Sequence, residues 1–180
     1  PVVDMKNFKT IYNEKKKIDN IENSWNYFFE NVSNFTLDEV YKSNRVIIVS
    51  DKFFSHFIYD MENENISNLI NEFIFIKKKF IKISDNFKKK FFGKKTLGVH
   101  FRGTSYKQSP GHPLPATKGQ MVRLVKKIVE KDNIDKIFLS TEEEDYLSLF
   151  KKEFSDRIIF LKSPYRSKKN DAFKIYPRLN

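Results

Sequence analysis

The chain contains no cysteine, so disulfides, thiolate zinc sites and cysteine nucleophiles are excluded whatever the redox environment. Glycine is scarce, at five of 180 residues against nineteen phenylalanines, which points to bulky aromatic packing rather than flexible linkers. No Gly-x-x-x-x-Gly-Lys-Ser/Thr loop and no Gly-x-Gly-x-x-Gly fingerprint occurs, so nucleotide kinases and dehydrogenases lose their usual support. No apolar run approaches the roughly 20 residues of a membrane span. The sequence therefore predicts no transmembrane segment and a cytoplasmic location, with membrane association through charge as the alternative.

Acidic residues are also in deficit, 23 against 34 basic ones, for a net charge of +11. Such an excess can draw nucleic acid, an anionic membrane surface or a phosphorylated substrate. The lysines, however, fall in short runs (Lys15–Lys17, Lys77–Lys79, Lys88–Lys90, Lys126–Lys127, Lys151–Lys152) beside apolar residues at helical spacing, as solvated faces do. A glycine-aromatic RNA-binding signature is missing. We therefore expect no nucleic-acid partner, and keep a basic nucleic-acid-binding domain as the alternative. The apolar fraction of 39% over this length is enough for a real core. Pro1 stands where a methionine would, and the chain ends soon after a third strand. Both features lead us to expect a segment incomplete at each end.

The first 92 residues read as part of one α/β unit. "PVVDM" (Pro1–Met5) and "RVIIVS" (Arg45–Ser50) are strand candidates, the second a β-branched run bounded by polar residues. Residues 22–41 are helical in places around Trp25. Ile66, Leu69, Ile70 and Phe73, continuing to Phe80, predict an amphipathic helix. "IKIS" (Ile81–Ser84) then reads as extended, with Ser84 capping a short helix that Gly93 stops.

From residue 93 to 180 the pattern is cleaner. "TLGVHFR" (Thr96–Arg102), "KIFLS" (Lys136–Ser140) and "RIIFL" (Arg157–Leu161) predict three strands. Between them lie two helices, each opened by a capping-box pair, Thr117 with Gln120 and Thr141 with Glu144. Met121, Leu124, Val125, Ile128 and Val129 make one apolar face, and Leu147, Phe150 and Phe154 another. Strand, helix, strand, helix, strand implies a parallel, doubly wound α/β sheet.

The ligand-binding edge of such a sheet is the carboxyl end of its strands. His100 and Arg102, two apart, project from one face there. Arginine supplies a planar fork for phosphate oxygens, and histidine a second donor or a ring for a base or sugar. Gly103 lets the backbone turn and approach a ligand, and the amides and hydroxyls of Thr104 and Ser105 follow. The physical reading stays open between a phosphate site and an ordinary strand end. Tyr106 and Lys107 after the turn suit substrate contact or solvent equally. His112, between Gly111 and Pro113, is a loop histidine held for binding or proton transfer, or a loop histidine without a task. His56 reads as structural. Glu142, Glu143, Glu144 and Asp145 read as the first turn of a helix rather than a metal cluster, and "SPYRSKKN" (Ser163–Asn170) as a solvated loop.

"LGVHFRGTSY" resembles the His-x-Arg segment of the fucosyltransferases that use GDP-fucose, the α1,6-fucosyltransferase and protein O-fucosyltransferase superfamily with its bacterial nodulation members. "GHPLPAT" is similar to a His-Pro element of that superfamily, "IFLSTEEE" to its apolar strand ending in Ala/Ser-Thr-Asp/Glu, and "PVVDM" to a first-domain strand ending in Asp. The resemblance implies a B-type glycosyltransferase of two Rossmann-like domains. Residues 1–92 would belong to the acceptor-side domain and 93–180 would begin the donor domain. It implies transfer of fucose to a glycan or protein hydroxyl without a metal or other cofactor. Arg102 matches the arginine on the donor β-phosphate, and His100, Gly103, Thr104, Ser105 and Tyr106 fall on the nucleotide-sugar pocket. His112 and Thr141 fall on segments near donor or acceptor. Ser105 stands where the motif has aspartate, which removes a carboxylate able to brace the arginine. Another nucleotide-sugar transferase, or an inactive relative of the same fold, shares these features.

Overall fold

The computed structural model describes residues 1–7, 17–49, 63–102, 115–162 and 166–168. The chain divides into two compact units, Pro1–Ser84 and Asp85–Asn180.

In the first unit, α1 (Ser24–Phe28) begins at Asn23, whose side chain accepts the Trp25 amide. Helix α2 (Leu37–Lys42) begins at Thr36, whose hydroxyl accepts the Glu39 amide while the Glu39 carboxylate takes the Thr36 amide. Helix α3 (Asn63–Phe73) follows. The apolar periodicity from Ile66 to Phe80 is broken after Phe73 because residues 74–77 leave the helix to pair with residues 28–30. There the Glu30 amide donates to Phe75 and the Lys77 amide to Phe28. Packing in this unit is aromatic: Trp25 stacks on Phe29 at 4.4 Å, and Phe28 and Tyr27 meet Phe80 at 5.0 and 5.3 Å.

Three expectations here need correction. Pro1–Met5 is not a strand, because the Asp4 carboxylate accepts the amides of Lys6 and Asn7 and turns the chain. Residues 45–49 form no strand and are exposed throughout, Ile47 at 90%, so this is no buried strand. Ile81–Ser84 is helical, inside α4 (Lys78–Phe91). Phe80, Ile83, Phe87 and Phe91 recur at helical spacing, and that longer period outweighs a four-residue β-like run.

The second unit holds a three-stranded parallel sheet in the order β1 (Thr96–His100), β2 (Lys136–Ser140), β3 (Ile158–Ile159). Register runs from Thr96 opposite Lys136 to His100 opposite Ser140, and then from Ile137 opposite Ile158. The β1–β2 crossover is α5 (Lys118–Asp132), with the expected Thr117–Gln120 capping box at its start and Asn133 in the left-handed region at its end. The β2–β3 crossover is α6 (Glu144–Phe154). Val125 and Val129 of α5, and Tyr146, Leu147, Phe150 and Phe154 of α6, close one core with Val99, Phe101, Ile137 and Leu139. Phe138 points the other way, as strand alternation requires, and meets Phe87 and Phe92, each at 5.7 Å. The fold of this unit is therefore α/β with a parallel sheet, as expected.

The Thr141–Glu144 capping box does not form. Helix α6 starts two residues later than that pair demands, with Glu143 at its N-cap making no side-chain cap. Its first free amide, on Glu144, donates instead to the Ser167 carbonyl at 2.9 Å, and the Ser167 amide donates to the Glu142 carbonyl at 2.7 Å. A distant segment has taken over the capping. Gly93 also differs from its expected role: it follows α4, but a Cβ there would meet the Asp135 Cβ at 2.7 Å. Close approach, rather than a left-handed helix stop, explains the glycine. Among the described residues no helix is long and apolar enough to cross a membrane.

Candidate functional site

The parallel ladder brings the carboxyl ends of β1 and β2 side by side. Phe101 continues β1 by donating its amide to the Ser140 carbonyl at 2.9 Å, which fixes the backbone one residue beyond the strand. Its ring is 1% exposed and stacks on Tyr146 at 4.0 Å. This anchored aromatic holds its two neighbours, His100 and Arg102, at the sheet edge. His100 is exposed and lies opposite Ser140 in register. Arg102 is half-exposed.

Across the edge, Ser140 leads into Thr141 and Glu142. The Thr141 hydroxyl accepts the Glu143 amide at 3.2 Å, turning the chain before α6. The Glu142 carboxylate then sits with Oε1 3.9 Å from Arg102 Nε, its side chain only 18% exposed. That separation is an ion pair but too long for a hydrogen bond. Glu143 is buried beside Ser167, and the two share a parallel bridge. Burial raises the Tyr146 phenol above its usual pKa, with the charges of Glu143, Glu142 and Asp145 adding to it. The ring beneath this edge is thus kept as a neutral phenol.

Three of the sequence-predicted residues, His100, Arg102 and Thr141, are brought to one edge. Gly103, Thr104, Ser105, Tyr106 and His112 lie outside the described residues, as does His56. Sequence reasoning missed Glu142 by assigning it to the first turn of a helix. Only Glu144 and Asp145 occupy that turn. The available signal was its place directly after Thr141, two residues past a strand whose end was already taken as the ligand edge.

Chemically, this edge offers a guanidinium and an imidazole to an anion, with a carboxylate beside the guanidinium that offsets part of its charge. Comparison with protein-family models gives no match, and comparison with curated proteins gives none either.

Proposed function

We propose that the chain is part of a metal-independent glycosyltransferase that moves fucose from GDP-fucose to a glycan or protein hydroxyl. The observation that carries this reading is the placement of His100 and Arg102 at the carboxyl end of a parallel strand, facing the Ser140–Thr141 turn. Open α/β sheets bind ligands at that edge. The likeness of this segment to the His-x-Arg motif supplies the donor. In this reading the second unit belongs to the donor domain of a B-type enzyme and the first to its acceptor side.

The mechanism follows from charge. As the bond between the fucose anomeric carbon and the β-phosphate oxygen breaks, negative charge grows on GDP. A guanidinium fixed at that phosphate stabilises the separating charge more than the intact donor, which lowers the barrier. The acceptor hydroxyl attacks the opposite face of the anomeric carbon and loses its proton to solvent, while the β-phosphate oxygen leaves with the bonding pair, so configuration inverts.

Calorimetry of GDP binding in the presence of a chelator tests the assignment. GDP is expected to bind the wild type, and Arg102→Ala to weaken it about tenfold or more, the value of one charge-assisted contact. Undiminished binding in that variant overturns the role of Arg102. A panel of nucleotide sugars, followed by release of free sugar, separates GDP-fucose from other donors.

A further inference from the structure

The stretch Ser163–Asn170 reads in the sequence as a solvated loop, and its described residues, 166–168, depart from that expectation. Ser167 is fully buried. Its amide donates to the Glu142 carbonyl at 2.7 Å and its carbonyl accepts the Glu144 amide at 2.9 Å, which locks this backbone along the turn between β2 and α6. The same turn receives the Phe101 amide at the Ser140 carbonyl. Two segments are thus pinned to the carboxyl end of β2, each by a buried residue with an arginine beside it. Arg102 follows Phe101, and Arg166 precedes Ser167.

Arg166 is half-buried and held over the continuation of β3. Its guanidinium carbon lies 5.5 Å from the centre of the Phe160 ring, and its Nη2 donates to the Leu161 carbonyl. These contacts fix the group without neutralising it. Among the described residues Arg166 pairs with no carboxylate, and its buried Nε has no hydrogen-bond partner. A guanidinium kept dry on one side without a counter-charge is unfavourable, and an anion at its remaining amino group supplies that charge. Arg102 differs, since Glu142 at 3.9 Å offsets part of its charge. A diphosphate bears more than one negative charge, so Arg102 alone leaves it undercompensated. Reach is no obstacle. Only β2 separates β1 from β3, so their ends stand about 10 Å apart, and two long side chains can close that gap around one diphosphate.

We propose that Arg166 is a second guanidinium contact, beside Arg102, for a diphosphate held at this edge. The proposal rests on reading the edge as an anion site, and it adds to that site a residue from outside the His-x-Arg segment.

Calorimetry on the whole chain, with a chelator present, uses two probes, GDP and inorganic pyrophosphate. Arg166→Gln removes the charge while keeping most of the side-chain length. It is expected to weaken both probes about tenfold, the value of one charge-assisted contact. Arg166→Lys, which keeps the charge but not the planar fork, is expected to recover part of that loss. Lys131→Gln removes an exposed charge from the last turn of α5, toward the amino end of the sheet. It is expected to change either affinity by less than about twofold. Circular dichroism checks that each variant is folded. Equal binding in wild type and Arg166→Gln overturns the proposal, and so does an equal loss in Lys131→Gln, which would mark attraction by net charge alone. Failure of both probes to bind wild type removes this contact and the donor reading together. Pyrophosphate binding that depends on Arg166, with GDP no tighter than pyrophosphate, supports the contact and removes the guanine-nucleotide donor. GDP binding weakened in Arg102→Ala but unchanged in Arg166→Gln keeps the donor and removes the contact.

Discussion

Arg102 Nε lies 3.9 Å from Glu142 Oε1, so the arginine proposed to hold a phosphate already has a carboxylate neighbour from the next strand's turn. Two effects of that carboxylate compete. As a brace it orients the guanidinium, and a partly exposed ion pair of this kind contributes about 0–1 kcal/mol. As a like charge it repels an incoming phosphate by about 1 kcal/mol at 4 Å in a water-like dielectric. The first acts on the folded protein without ligand, the second only when phosphate is bound. Glu142→Gln is therefore expected to change stability by under about 1 kcal/mol and to tighten GDP binding by about two- to fivefold, measured by calorimetry. Weaker binding would show that bracing outweighs repulsion and that Glu142 makes good the carboxylate missing at Ser105.

Phe150 is fully buried, in contact with Phe101 at 5.8 Å and Phe154 at 5.2 Å. Phe150→Ala is expected to cost about 3–5 kcal/mol, since the lost apolar burial and the cavity left behind both destabilise. Urea unfolding followed by circular dichroism measures it. A loss under about 1 kcal/mol would mean that this core is not the one that holds the second unit together.

Glycine at position 93 leaves no room for a methyl group against Asp135. Gly93→Ala should therefore lower stability by about 1–3 kcal/mol, because both partners are near-backbone atoms and one must move. If the glycine were only a helix stop without left-handed backbone, alanine would be neutral or slightly stabilising. The sign of the shift in the unfolding midpoint decides between the two.

Thr117→Ala removes the hydroxyl that accepts the Gln120 amide and leaves the first turn of α5 uncapped. About 1 kcal/mol of destabilisation is expected in a denaturant titration. Thr141→Ala should cost less at the start of α6, because Ser167 rather than Thr141 caps that helix. Equal losses in the two variants would contradict the assignment of the cap to Ser167.

Acid should act on the first unit through Glu22. Hydrogen bonds and charge from Lys17, at 2.8 Å, and from Lys6 hold its carboxyl down to about 2. A depressed folded pKa means that the contribution is complete above the ordinary glutamate value and is lost as pH falls toward the folded one. Wild type is expected to lose stability between about pH 4.5 and 2, and Glu22→Gln to show a shallower slope there. Carbon-detected NMR titration of the Glu22 carboxyl checks the cause: a midpoint near its ordinary value would remove it.

Local chemistry made much of the second unit legible. "KIFLS" became β2 with the expected bounds, Thr117 and Gln120 formed their capping box, and Leu147, Phe150 and Phe154 turned inward. In each case the signal and its outcome lie within one turn or one strand, where backbone hydrogen bonding and side-chain periodicity act directly. The placement of His100 and Arg102 at the sheet's carboxyl edge followed from strand order alone.

What failed involves partners distant in sequence. The β-branched run at residues 46–49 has strand propensity but carries no information about a neighbouring strand, and none of the described residues supplies one. Thr141 lost its capping role to Ser167, 26 positions away, and Gly93 answers to Asp135 across 42. The elements of the parallel unit and the place of His100 and Arg102 at its carboxyl edge were written in the chain, because propensity, capping and period are short-range. Folding in three dimensions was needed to bring Glu142 against Arg102 and Ser167 onto the start of α6, because hydrogen-bond partners and contacts between elements are decided by packing.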